Sequence, residues 1–305
     1  MDWDDIRHFL AVAREGQILG AARRLGISQA KLSRRIAALE AALGQRLIDR
    51  TTRGSALTEQ GRALFATAER MEAEVMAVAS ELAGPEGIAG TVRIGTPDGF
   101  GAAFLAPRLG TLRAAHPGLR VQLVPVSRSF SLSEREADLA IMVGRPDKGR
   151  LRVRRLTDYT LGVYAARAYL ARHGTPADPA ALREHDLVGY VDDLMHTPEL
   201  AYTSEVLRDW RATVEIATAV GQVAAVRGGA GIGVLHDFMA ADDPDLMLLF
   251  PEIRIERSYW TVWHENLRAD RPVQAVVAFL DASARAERAL FLRPAHENGP
   301  RDGGP

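Results

Sequence analysis

The sequence predicts an α/β protein with an all-α, winged helix-turn-helix module at its N-terminal end and a long linker helix behind it. Three observations carry this. Short amphipathic segments are cut off by Gly16, Gly26 and Gly44, and a short apolar–polar alternation turning at Arg53-Gly54 follows. A run from Thr58 to Ala83 repeats apolar residues at spacings of three and four. Beyond Gly84-Pro85-Glu86-Gly87 the pattern becomes strand, helix, strand, the signature of a sheet covered by helices.

In chain order, Asp4 to Glu15 reads as a helix with Ile6, Phe9, Leu10 and Ala13 on one side. Ile18 to Leu25 is a second, alanine-rich helix. The third lies in ISQAKLSRRIAALEAALG, Ile27 to Gly44, where Leu32, Ile36, Leu39 and Leu43 share a face and Ser28 is a good N-cap. Two short helices broken by a glycine turn, the second polar at its start, make a helix-turn-helix. RLIDRTTRGSALT then forms a hairpin wing. On the long helix Gly61, Leu64, Ala68, Met71, Val75, Val78 and Leu82 form a heptad seam, read as a dimer contact because little else in the N-terminal part can cover so long a stripe.

In the second part strands are expected at Val92 to Gly95, Val121 to Val126, Leu139 to Val143, Leu161 to Ala165, Leu187 to Val191, Val214 to Ala217, Ile232 to Leu235 and Tyr259 to His264. Phe104 to Ala115 and Pro272 to Arg288 read as helices. Helical segments separate most of the strands, so the sheets should be largely parallel. The division is residues 1–58 for the winged module, 59–87 for the linker and dimerisation helix, 91–292 for the second domain, and 293–305 for a disordered tail.

Composition narrows the function. At 305 residues, 47% hydrophobic and 25% charged, the chain can bury more than one core. With no cysteine, disulfides, thiolate metal sites and cysteine nucleophiles are excluded. MDWDDIRH lacks the order of a signal peptide and no apolar run is long enough to span a membrane, so a cytoplasmic protein without membrane contact is expected. The histidines show no HxH or HExxH spacing; His264-Glu265 begins the latter, but Arg268 stands where the second ligand belongs. GGAGIG, Gly228 to Gly233, leads from helix into strand, opposite to a phosphate loop, and reads as a tight connection. Asp192-Asp193 reads as loop. No catalytic or metal-binding constellation and no cofactor site emerges.

The net charge of −1 conceals a local excess: between Gly20 and Arg62 nine cations face three anions. Clustered arginine and lysine suit a duplex phosphate backbone through counterion release. A recognition helix presents polar and basic side chains near its N-terminus, the end that enters the major groove. Gln29 can pair bidentately with adenine, and Arg34 or Arg35 with guanine or phosphate. Ser28, Lys31 and Ser33 complete the polar start of the helix, with Arg23 on the helix before it. In the wing Arg50, Thr51, Thr52 and Arg53 offer phosphate or minor-groove contacts. Double-stranded DNA is the expected partner.

These residues resemble the LysR-type transcriptional regulators. FLAVAREG, AARRLGISQ, LSRRIAALEAALG, RLIDRTTRG and LTEQGRAL match that family's N-terminal signature in order and spacing. VRIGTPDGFG, LAPRL, HPGLRVQL, EADLAIMVGRP, GAGIGVL and WTVWHE look like its periplasmic-binding-protein-like effector domain, so the resemblance covers nearly the whole chain. It implies two α/β lobes, the first at about 91–161 and 267–292, the second at about 162–266. It also implies a small-molecule effector between them, near Thr96, Asp98, Gly99, Phe100, Ser127, Arg128, Ser129, Arg145, Val191 and Asp192. Dimers pairing into a tetramer and contact with RNA polymerase come with the resemblance too. Three positions depart from the pattern: Ala30 where many members carry proline, Gln17 where serine or threonine often caps, and Lys31 where a small residue or threonine is common.

Two other readings account for parts of the chain. A small-molecule-binding α/β protein whose N-terminal part serves only assembly leaves the arginine cluster idle, and expects no salt-sensitive binding to its own upstream DNA. An enzyme lacks a catalytic constellation.

Overall fold

The computed structural model describes residues 2–51, 54–82, 87–125, 137–146, 151–195 and 197–292. The chain opens with α1 (Trp3–Glu15), α2 (Ile18–Leu25) and α3 (Gln29–Leu43). Asp2 caps α1 through its carboxylate, Ser28 caps α3, and Gln17 makes no side-chain cap on α2. Gly16, Gly26 and Gly44 each end a helix in the left-handed region, which an L side chain rarely adopts. Ile6, Phe9, Leu10, Val12, Ala21, Ala22, Leu32, Ile36 and Leu39 form one core, each large aliphatic contributing roughly 1.5–3 kcal/mol.

The antiparallel hairpin of β1 (Ile48–Thr51) and β2 (Gly54–Leu57) follows, with Ile48 opposite Leu57. α4 (Glu59–Leu82) then runs out of the module. The hairpin is pinned at three points. Glu40 of α3 accepts from the Leu47 and Ile48 amides at 2.8 and 3.1 Å. The Ser55 amide donates to the Gly16 carbonyl at 2.7 Å. The Leu47 carbonyl lies against Gly61, so closely that a Cβ there would collide with it.

The second part contains β3 (Gly90–Thr96), α5 (Leu109–Ala115), β4 (Leu119–Pro125), β5 (Leu139–Val143), β6 (Leu151–Ala166), α6 (Arg167–His173), β7 (Leu187–Gly189), β8 (Val214–Glu215), α7 (Ala219–Arg227), β9 (Ile232–His236), α8 (Asp237–Ala240), β10 (Leu246–Leu249), β11 (Ile255–His264), α9 (Arg271–Ala286) and α10 (Arg288–Phe291). The strands form one sheet in the order β4-β3-β5-β11-β6-β9-β7-β8, with β10 also paired to β6. α9 starts on the Asp270 cap with Pro272 in its first turn, and buries Val273, Val276, Val277 and Leu280.

The sheet is mixed rather than largely parallel. β3 runs parallel to β4 and β5, and β7 to β8 and β9, but β6 is antiparallel to β9, β10 and β11, and β11 to β5. The reason is connectivity: β6 leaves the first half of the sheet and β11 returns to it, and a there-and-back pair must be antiparallel. Both strands are longer than the sequence pattern indicates; in β6, Arg152, Arg154 and Arg155 interrupt the apolar run yet pair with Trp263, Thr261 and Trp260 of β11. β10 was not anticipated. The helix expected from Phe104 instead begins as a π-helical turn, Phe100–Leu105, and a 3-10 turn, Ala106–Arg108, before α5.

Candidate nucleic-acid interface and interlobe cleft

The buried stripe of α3 fastens it to α1 and α2, so the opposite face is presented outward. Ser28, Gln29, Ala30, Lys31, Arg34 and Ala37 are exposed and Ser33 is half-buried; Arg23 of α2 is exposed too. The Ser28 hydroxyl accepts from the Lys31 amide at 3.2 Å, which caps the helix at its polar end. Arg35 is different: its guanidinium lies 3.2 Å from Asp5 of α1. Arg50 and Thr51 belong to β1, but their side chains, with all of Thr52 and Arg53, lie outside the described residues.

The residues expected to contact an effector begin where β3 ends. Thr96 is fully buried, and the Asp98 carboxylate accepts from the Val220 amide at 3.0 Å, joining the first half of the sheet to the N-terminal end of α7 in the second. Gly99 is packed so near Met239 and Ala219 that a Cβ would stand 3.0 Å from the Met239 sulfur. Phe100 is a correction: its ring is wholly buried against Phe104, Tyr259 and Phe291, at centroid distances of 5.1, 4.9 and 6.1 Å, so it belongs to the core. The π-helical turn that begins at Phe100 carries it there. Arg145 is exposed, its guanidinium 5.8 Å from the Trp260 ring centre. Val191 is half-buried and caps a 3-10 turn containing the exposed Asp192. Ser127, Arg128 and Ser129 lie outside the described residues.

Around Asp98 is a buried polar cluster. Tyr159 of β6 stacks on Tyr259 of β11 at 4.1 Å and on His236 of β9 at 5.2 Å. Tyr202 donates to Gln222 at 3.3 Å, and Gln222 to the Ile216 carbonyl at 2.8 Å. Tyr164 donates to Asp237 at 2.6 Å. Burial pushes the His236 imidazolium down to about 4, against the opposing pull of Asp98 and Asp237. The same desolvation raises the Tyr159 and Tyr202 phenols. Nearby, Arg257 pairs with Glu205 and donates to the Glu199 carbonyl at 3.1 Å. Among the described residues no cluster of side chains suits a metal ion, and no helix is long and apolar enough to cross a membrane.

Two family models match the chain. That of the bacterial regulatory helix-turn-helix protein, lysR family, covers residues 3–62, and that of the LysR substrate binding domain covers residues 85–285. The chain belongs to the LysR-type transcriptional regulators. This regulator is 30% identical over 247 residues to the HTH-type transcriptional regulator CrgA of Neisseria meningitidis serogroup C (strain 8013), spanning 79% of this chain and 81% of that one. It is 29% identical over 271 residues to the Mau operon transcriptional activator of Paracoccus denitrificans, spanning 88% and 92%. The solved structure of CrgA from Neisseria meningitidis matches with a TM-score of 0.58 at 26% identity, over 92% of this chain and 98% of that one. A full-length OxyR from Pseudomonas aeruginosa shares the fold with a TM-score of 0.71 at 20% identity, over 98% and 99%. The relatives are transcriptional regulators, and the family is not one of enzymes.

In this LysR-type regulator the heptad seam of α4 is divided. Ala68 is fully buried and Leu64 half-buried in the core of their own winged module, as Gly61 is against the wing, so these positions are not a free dimer contact. The stripe changes character beyond them: Met71, Val75 and Val78 are 44%, 53% and 55% exposed. The Leu82 side chain lies outside the described residues. Sequence reasoning also missed Tyr159, Tyr202, His236 and Gln222. They lie on four separate elements, β6, the 3-10 turn Tyr202–Glu205, β9 and α7, and only the tertiary fold brings them together.

Proposed function

We propose that this LysR-type regulator reads double-stranded DNA with Arg23, Ser28, Gln29, Lys31, Ser33 and Arg34, helped by Arg50, Thr51, Thr52 and Arg53 of the wing, and that a small-molecule effector between the two halves of its second domain modulates that binding. The domain division, with the winged module at 1–58, α4 as linker and the second domain at 91–292, follows the same reading. The observation that supports effector control is the Asp98–Val220 hydrogen bond. A residue of one half holds a backbone amide of the other, while β6 and β11 run through both. A ligand wedged between the halves alters that contact and biases one arrangement over another. Thr96, Asp98, Gly99, Arg145, Val191 and Asp192, with Ser127, Arg128 and Ser129, are the candidate contacts. Self-association through Met71, Val75 and Val78 pairs two winged modules over a two-fold DNA site, in the cytoplasm and within reach of RNA polymerase; two such dimers make a tetramer.

The test is a gel-shift titration at several salt concentrations with wild type and Arg34→Ala, followed by a thermal-shift screen of the full chain against metabolites. Binding of upstream DNA that weakens with salt and with Arg34→Ala is expected, and a compound that raises the melting temperature should change the gel shift. A stabilising compound without effect on DNA binding would sink the effector reading.

A further inference from the structure

The second domain touches the first at a place the sequence does not signal. β11 ends at His264, and the 3-10 turn Glu265–Leu267 after it lies against α4. There the Asn266 side-chain amide donates to Glu69 Oε2 at 3.0 Å. The other Glu69 oxygen is 3.7 Å from the Arg14 guanidinium of α1, and the two side chains are only 8% and 9% exposed. Arg14 also forks onto Glu72, one helical turn along α4. Three elements from both domains therefore converge on one carboxylate: α1, α4 and the turn behind β11.

A carboxylate withdrawn from water is costly unless it is paired and hydrogen-bonded, so this junction holds one geometry and resists sliding. Midway along, β11 carries Tyr259 into the buried polar cluster around Asp98, beside a register shift at Tyr259/Trp260. From Tyr259 the strand runs five more residues to His264, roughly 17 Å of extended chain, and Asn266 lies in the turn just beyond. From Tyr259 to Trp263 β11 is hydrogen-bonded to β5 on one side and β6 on the other, which stiffens that stretch.

We propose that the Asn266–Glu69–Arg14 junction fixes how the winged module is oriented on the second domain of the same chain, and thereby sets how the protein grips and bends DNA. It operates whether or not a small molecule enters the cleft, so failure of the effector reading leaves it standing.

The test uses the full chain and the DNA upstream of its own coding sequence, read by gel shift for affinity and by circular permutation for bend angle. Asn266→Asp sets two carboxylates face to face and is expected to change affinity roughly 2- to 30-fold, together with the bend angle. Adding Glu69→Gln restores one amide and one carboxylate with donor and acceptor exchanged, and should return both readings toward wild type. Urea unfolding of each variant separates orientation from folding. Asn266→Asp with wild-type affinity and bend overturns the proposal. So does a double variant no closer to wild type than the single one, or a lowered unfolding midpoint with an unchanged bend.

Discussion

Arg35 of α3 and Asp5 of α1 form an ion pair at 3.2 Å in which the carboxylate is nearly buried and the guanidinium is about half exposed. The pair braces the recognition helix against α1, and it engages a cation that would otherwise be free for phosphate. Asp5→Asn should release Arg35, tighten DNA binding at low salt and steepen the dependence of log affinity on log salt by up to about 0.9. Arg35→Ala should weaken DNA binding less than Arg34→Ala, and lower stability by no more than about 1 kcal/mol. Equal losses in the two alanine variants would show Arg35 on DNA instead.

Glu40 joins the recognition helix to the wing through the Leu47 and Ile48 amides. Removing the acceptor leaves two amides without it. Glu40→Ala should cost about 1–3 kcal/mol of stability in urea unfolding and loosen DNA binding through the displaced wing. Glu40→Gln, which keeps an acceptor oxygen, should recover most of both.

Gly61 is needed for its missing side chain. The atom opposing a Cβ there is the Leu47 backbone carbonyl, which cannot rotate aside. Gly61→Ala should therefore destabilise by about 3 kcal/mol despite the better helix propensity of alanine. A gain in stability would mean that the wing does not hold this position.

His236 should give the second domain an acid-sensitive step. Its imidazolium is pushed down to about 4 by burial, from an ordinary value of 6.5. Below about 6.5 the unfolded chain takes up a proton that the folded chain refuses, so stability falls as pH drops from 6.5 toward 4 and is flat above. The full loss is about 3 kcal/mol. His236→Phe keeps a ring against Tyr159 and should flatten that window in pH-dependent urea unfolding.

Val75 tests self-association. It is 53% exposed on a helix whose preceding apolar positions are buried in their own module. Val75→Glu should move the protein to a smaller species in sedimentation equilibrium without lowering its unfolding midpoint. An unchanged mass would place the assembly contact elsewhere.

The N-terminal module was legible because its signals are local. The cap at Ser28, glycines at Gly16, Gly26 and Gly44, and the stripe of Leu32, Ile36 and Leu39 each act within a few residues of themselves. The short strand β5 was legible for the same reason, as a compact apolar run. Long strands that mix cations with apolar residues were not, because Arg152 and Arg154 owe their place in β6 to partners on β11 more than a hundred residues away.

By itself the sequence determined the helix-turn-helix, its capping, the polar face of α3 and the family signature, all set by backbone preference and periodicity over short spans. Tertiary structure decided which of those side chains are already engaged: Arg35 by Asp5, Ala68 and Leu64 by their own core, Phe100 by Phe291, Glu69 by Asn266. Periodicity places a residue on a face of its own element, but the partner that meets that face comes from a distant stretch of chain, and only folding brings the two together.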